Sequence, residues 1–287
     1  MTGGVLEVLA TGPLCTVQDH GRPGLAHLGV PRAGPLDRPA ADLANRLVGN
    51  RPGAALLEVV LGGLELRATV DTWVAVTGAP APVAVGRRRA GLARAERLPA
   101  GAVLSLGAPA SGVRSYVAMA GGIDVVPVLG SRSTDTLAGV GPPVVAPGQR
   151  LPLGRPSGPP APVEAPVAPT GPPTGLLRVH PGPRLERLGP HALAELCATA
   201  YVVGAEADRV GLRLDGPPLR RADAGELPSE GMVLGSVQVP PSGRPVVFLA
   251  DHPPTGGYPV VAVVDPRDLW QCGQLRPGEP VRFTRAR

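Results

Sequence analysis

Glycine and proline limit this chain more than any motif does. There are 40 glycines and 38 prolines spread along 287 residues. Proline removes a backbone donor and glycine weakens helix interiors, so long helices are excluded in favour of turns and short strands. The hydrophobic fraction of 43% still supplies a core and argues against wholesale disorder. Aromatic residues make up only 2%, so that core must be Val, Leu and Ala.

One helix stands out. Asp37 is a good N-cap, residues 38–48 place Leu43, Ala44, Leu47 and Val48 on one face, and Gly49 stops the helix. Asn45 and Asn50 are read as caps, the alternative being that they look into a cleft. Short apolar runs at strand-like lengths fill the first half: 5–9, 56–60, 63–67, 73–77, 83–85, 103–106 and 114–120. The second half offers 176–180, 201–203, 208–214, 233–239, 245–250 and 280–284. It adds a short helix at 190–200 and a turn N-capped by Asp265, with Pro266 at its first position. Strands at such regular spacing predict a closed or nearly closed β structure, and no helices alternate with them as a doubly wound sheet would require. Gly21 and Gly24 break regular structure around 16–24, which is expected to be a polar turn. The Pro-, Ala- and Gly-dominated stretch after residue 152 predicts a linker or surface crossover at 155–175 between units 1–154 and 176–287. A short echo between 16–23 and 236–245 hints at two related barrels.

The formal charge is +5, carried entirely by arginine. An all-arginine chain rich in Ala, Gly, Pro and Val reflects coding bias, so the charge is discounted as a sign of nucleic acid. The run Arg87-Arg88-Arg89 has no interleaved aromatics to stack bases and suits a solvated hairpin tip. Without lysine the chain has no phosphate-loop lysine, no Schiff-base lysine and no attachment lysine for biotin or lipoate. Three isolated cysteines and five histidines without ligand spacing predict no metal site. There is no signal peptide and no apolar span of about 20 residues, so a cytoplasmic protein with no membrane partner is expected.

Candidate site residues fall in three stretches. In 238–258 an apolar run delivers Asp251, and the chain then breaks at Pro253-Pro254 and turns through Thr255, Gly256, Gly257 and Tyr258. A carboxylate facing a hydroxyl and two bare amides suits a small polar ligand; a polar hairpin turn is the simpler alternative. In 16–24, Asp19 and Arg22 are placed to pair across a turn, either as a structural ion pair or as a site wall. In 128–136, hydrogen-bonding side chains including Ser133 bracket Arg132, which suits a carboxylate or phosphate, an interface, or a loop satisfying its own backbone.

Taken together, these stretches resemble one family. Its blocks are Thr16-Val17-Gln18-Asp19 with Gly21-Arg22, Gly29-Val30-Pro31, Ala44-Asn45 through Gly49-Asn50, and Gly121-Gly122-Ile123-Asp124. They continue with Leu129-Gly130-Ser131-Arg132-Ser133-Thr134-Asp135, Asp208-Arg209 with Gly211, Ser229-Glu230-Gly231, and Gln238-Val239-Pro240-Pro241. Asp251 with Thr255-Gly256-Gly257-Tyr258-Pro259 completes the set. The chain is similar to the biotin-dependent carboxyltransferase family, also called the allophanate hydrolase subunit 2 family, which includes the C subunits of 5-oxoprolinases.

The resemblance implies a mainly β fold of two cyclophilin-like β-barrel subdomains with a few short helices. It implies two partners, the kinase-inhibitor-like B subunit and the A subunit of a 5-oxoprolinase. The three together form an ATP-dependent enzyme that opens 5-oxo-L-proline to L-glutamate. ATP would be bound through the partner subunits, and biotin would not be attached to this chain. Two other roles come with the family: carboxyl transfer from biotin to urea or a related amide, and non-enzymatic regulation through the B subunit. The implied catalytic set is Asp251, as orienting group or base, with Thr255 and the amides of Gly256 and Gly257 around a developing oxyanion. The implied substrate-binding set is Gln18, Asp19, Arg22, Arg132, Ser133, Gln238 and Tyr258. Asp251→Ala is expected to abolish turnover and leave folding intact. The sequence departs from the family in places: His252, Pro253 and Pro254 follow the aspartate, Val260 stands where a lysine commonly follows Gly-Gly-Tyr-Pro, the glycine-rich loop near Gly139 to Arg150 has prolines, and a later Gly-Asp is reduced to Gly154.

Overall fold

A computed structural model describes residues 4–160, 171–220 and 227–286. It is mainly β, with the strands gathered into two units. The first unit comprises Met1–Arg22, Ala33–Asp135 and Gly139–Pro172; the second comprises Pro23–Arg32, Thr136–Ala138 and Pro173–Arg287. The division is therefore interleaved, because two short segments of the N-terminal half belong to the second unit. Part of the expected linker at 155–175 lies outside the described residues.

The first unit holds two antiparallel sheets. One runs in the order Arg150–Pro152, Val5–Thr11, Leu64–Ala68, Val103–Leu106, Val83–Val85 and Arg88–Ala90. The other runs Leu14–Gln18, Leu56–Val60, Arg114–Met119, Thr72–Gly78 and Ala95–Leu98. Leu64–Ala68 alternates buried and exposed, as a strand with one wet face must. Arg114–Met119 is buried throughout because its sheet is covered on both faces. The inner cluster includes Leu6, Val8, Val17, Leu57, Leu66, Leu104 and Val117. On the second face lies the helix Arg38–Leu47, which sets Ala40, Ala41, Ala44 and Leu47 against Leu56, Ala75, Tyr116 and Ala118. Its Asp37 cap accepts from Ala40 N at 3.0 Å, as the sequence predicts, and Gly49 follows it with φ +74°.

The two asparagines are not caps. Asn45 Nδ2 donates to the Ala54 carbonyl at 2.8 Å. Asn50 Nδ2 donates to Asn45 Oδ1 and to the Met119 carbonyl, while its Oδ1 accepts from Gly121 N. They tie the loop at Ala54 to the end of the strand Arg114–Met119 and to the turn at Gly121. The expected turn around residue 16 is likewise corrected, since Leu14–Gln18 is a strand paired with Leu56–Val60.

The second unit is a closed barrel. Its order is Leu176–Pro181, Val260–Val264, Ser236–Gln238, Val246–Phe248, Gly211–Asp215, Ala200–Val203 and Pro280–Arg285. Neighbours are antiparallel except at the seam, where Pro280–Arg285 pairs in parallel with Leu176–Pro181. Closure removes the free strand edges. Asp265 caps the turn that begins at Pro266, its Oδ1 accepting from Arg267 N at 3.0 Å and its carbonyl from Asp268 N, and the short helix Leu269–Cys272 follows with Asp268 as its N-cap residue. No helix among the described residues is long and apolar enough to cross a membrane.

Candidate functional site

In the barrel unit the chain leaves Val246–Phe248 and turns over Leu249–His252, with His252 N donating to the Leu249 carbonyl at 3.1 Å. The turn leaves the Asp251 side chain wholly buried against an equally buried Arg209. Arg209 Nε donates to Asp251 Oδ2 and Nη2 to Oδ1, each at 2.9 Å, in a two-pronged pair. Thr136 adds its backbone N at 2.9 Å and its hydroxyl at 2.8 Å, both to Oδ2. A carboxylate accepting four donors has little lone-pair capacity left for a substrate proton. Its evident work here is to hold the start of the Pro253–Tyr258 loop.

That loop is laddered. Thr255–Gly256 pairs with Glu230–Gly231, Met232 N donates to the Pro254 carbonyl at 2.8 Å and Leu227 N to the Gly257 carbonyl at 3.0 Å. Arg184 clamps Glu230 through Nε at 2.8 Å. Gln238, buried in the barrel wall, donates to the Tyr258 carbonyl at 3.3 Å. Gly256 lies close to this side chain: a Cβ there would lie 2.8 Å from Gln238 Nε2 and would oblige that amide to move. The Thr255 hydroxyl has no hydrogen-bond partner among the described residues. The second unit thus brings Asp251, Thr255, Gly256, Gly257, Gln238 and Tyr258 onto one connected strand-loop-strand. Val260 begins the next barrel strand and is buried, a position whose apolar surroundings suit valine better than a lysine charge.

The remaining predicted residues sit together in the first unit. Asp19 accepts from Arg132 N at 2.6 Å, Ser133 Oγ at 2.7 Å, Ser131 Oγ at 2.5 Å and Gly21 N at 2.8 Å. Arg22, almost fully buried, donates through Nη2 to the Ser133 carbonyl at 2.6 Å. Gln18 Nε2 donates to Thr16 Oγ1 and to the Thr134 carbonyl, and its Oε1 accepts from Gly34 N. Asp19, Arg22 and Gln18 therefore all fix the 131–134 loop. The side chain of Arg132 is half-exposed, donating through Nε to the Val125 carbonyl and through Nη2 to Asp124, each at 2.7 Å. Its Nη1 has no hydrogen-bond partner among the described residues, which makes it the open cationic donor of this loop. An apolar recess of about 490 Å³ also lies in this unit, lined by Ala81, Pro82, Leu92 and Arg89 among others; none of the predicted site residues lines it.

Sequence reasoning missed Arg209, Thr136 and the ring of His252 as members of the Asp251 cluster. The Asp208-Arg209 block carried the only signal, and it gave no direction for the guanidinium. No group of three or more His, Cys, Asp or Glu side chains that could hold a metal occurs among the described residues.

A closed β barrel and a two-sheet unit, each carrying a glycine-rich polar loop braced by an aspartate, define a two-part β protein built to present loops. The carboxyltransferase domain family, subdomains A and B, matches residues 28–285, and the chain belongs to it. It is similar to the 5-oxoprolinase C subunit of Escherichia coli (strain K12), with 36% identity over 97% of this chain and 90% of that protein. It is 32% identical to the urea amidolyase of Lachancea kluyveri over 96% of this chain but only 17% of that protein. Among solved structures, TTHA0988 overlays with a TM-score of 0.87 at 42% identity, covering 98% of this chain and 55% of that one. This chain thus spans about half of TTHA0988 and a small part of the amidolyase.

Proposed function

We propose that this protein is the C subunit of an ATP-dependent 5-oxoprolinase, opening 5-oxo-L-proline to L-glutamate together with the A and B subunits. The observation that carries this reading is the end-to-end match to the Escherichia coli C subunit, in contrast to the small fraction of urea amidolyase covered. Water adds to the ring carbonyl, the ring C–N bond breaks, and the nitrogen takes up a proton. ATP is consumed through the partner subunits. In this chain the loop after Asp251 receives the amide: Asp251 positions the loop through Arg209 and Thr136 rather than acting as the base. Thr255 and the backbone N–H of Gly257 then face the developing oxyanion. The test is co-expression with the genomic neighbours followed by an assay for glutamate release from 5-oxoproline. ATP-dependent release supports the reading; a stable complex with no release overturns it.

A second reading is favoured by the urea amidolyase match alone: carboxyl transfer from biotin to urea. It requires a separate biotinylated protein, since this chain has no lysine to carry the cofactor. Avidin blotting of co-purified partners distinguishes the two.

A further inference from the structure

His252 is the one side chain of the Asp251 turn that the bracing network leaves half used. It is 5% exposed. Its Nδ1 lies 2.6 Å from the Leu249 carbonyl, and a carbonyl can only accept, so Nδ1 carries the hydrogen. In the neutral ring Nε2 is then a bare acceptor, and it has no hydrogen-bond partner among the described residues. The ring is held flat against Phe248, with centroids 5.6 Å apart and planes at 24°. Pro253 narrows the backbone freedom of His252 itself. An imidazole fixed in tautomer and orientation presents one open acceptor to an arriving donor. It stands one residue from the carboxylate that fixes the loop and three from Thr255.

We infer that His252 Nε2 accepts the N–H of the amide taken up by the Asp251 loop. The ligand class is a small molecule bearing an amide N–H, either a cyclic amide or urea. The choice between these two rests on the function proposed above, while the acceptor role does not.

The test is a long-range proton–nitrogen NMR spectrum of the chain labelled with nitrogen-15 histidine, with His252 assigned by comparison with His252→Gln. The free protein is expected to show a protonated Nδ1 and a bare Nε2. Saturating 5-oxoproline or urea should move Nε2 and leave Nδ1 in place, whereas N-methyl-5-oxoproline, which lacks the N–H, should leave both. His252→Phe keeps the stack on Phe248 and should weaken 5-oxoproline binding about tenfold, the scale of one lost hydrogen bond, without affecting the N-methyl analogue. A hydrogen on Nε2 in the free protein, or an unmoved Nε2 with both amides in excess, overturns the inference even if His252→Phe fails to fold. A response to urea without glutamate release by the reconstituted complex would uphold His252 and remove the 5-oxoprolinase reading. Glutamate release with a silent Nε2 would do the reverse.

Discussion

Arg209 and Asp251 form a buried, two-pronged ion pair, with side chains 1% and 0% exposed and both bridging contacts at 2.9 Å. Removing one partner of such a pair strands the other's charge in the interior, at about 3–5 kcal/mol. Asp251→Ala is therefore expected to destabilise the barrel severely, which corrects the expectation that it would leave folding intact. Urea unfolding of Asp251→Ala against Arg209→Met/Asp251→Leu measures this: the double substitution should recover much of the loss. Equal loss in both would show that the pair's charge is not the issue.

Tyr116 lies in a second buried network. Its hydroxyl donates to Glu58 Oε2 at 2.9 Å and accepts from Asp37 N at 2.7 Å, so it ties the helix start to the sheet beneath. Burial, followed by the nearby Glu58 charge, pushes the phenol well above its ordinary value. Tyr116→Phe should cost about 1–3 kcal/mol by leaving Asp37 N and Glu58 short of a partner. A change within error in chemical denaturation would show that water replaces the hydroxyl.

Acid should loosen the barrel through Asp268. The Arg178 guanidinium grips this carboxylate, with Nη2 to Oδ1 at 2.6 Å, and holds it below its ordinary value despite the opposing effect of burial. A carboxylate lowered in the folded state stabilises it above the unfolded value of about 3.9 and loses that contribution as pH falls through the folded value. Arg178→Ala should therefore move the acid-unfolding midpoint to higher pH by circular dichroism. An unchanged midpoint would assign acid sensitivity elsewhere.

The thiols should separate by accessibility. Burial pushes Cys15 and Cys272 up to about 12 and raises the half-buried Cys197 less. Thiolates are the reactive form, so native protein near pH 8 should be alkylated at Cys197 alone, and at all three positions after unfolding. Peptide mapping that found native modification at Cys15 would point to opening of the first sheet pair.

The sequence made local structure legible and left distant partners hidden. The helix after Asp37 and strands such as Leu56–Val60 and Val103–Leu106 stand where composition and periodicity put them, because cap, spacing and burial all agree there. Leu14–Gln18 escaped because Thr16 and Gln18 are polar yet buried, and they satisfy each other and the Thr134 carbonyl instead of facing water. The barrel seam joins residues about a hundred positions apart in parallel, which no local pattern announces. For the same reason Asp251 was recognisable as a strand-end carboxylate while its partners, 42 and 115 positions away, were not.

Thr136 lies upstream of the proline-rich stretch yet is counted with the barrel, together with the neighbouring residues of Thr136–Ala138. A gene cut after Pro172 would thus yield a C-terminal fragment whose key aspartate has lost two of its four donors. Complementation between separately made halves would have to restore that threonine before the loop could set, so fission at the proline-rich stretch is the wrong way to dissect this molecule.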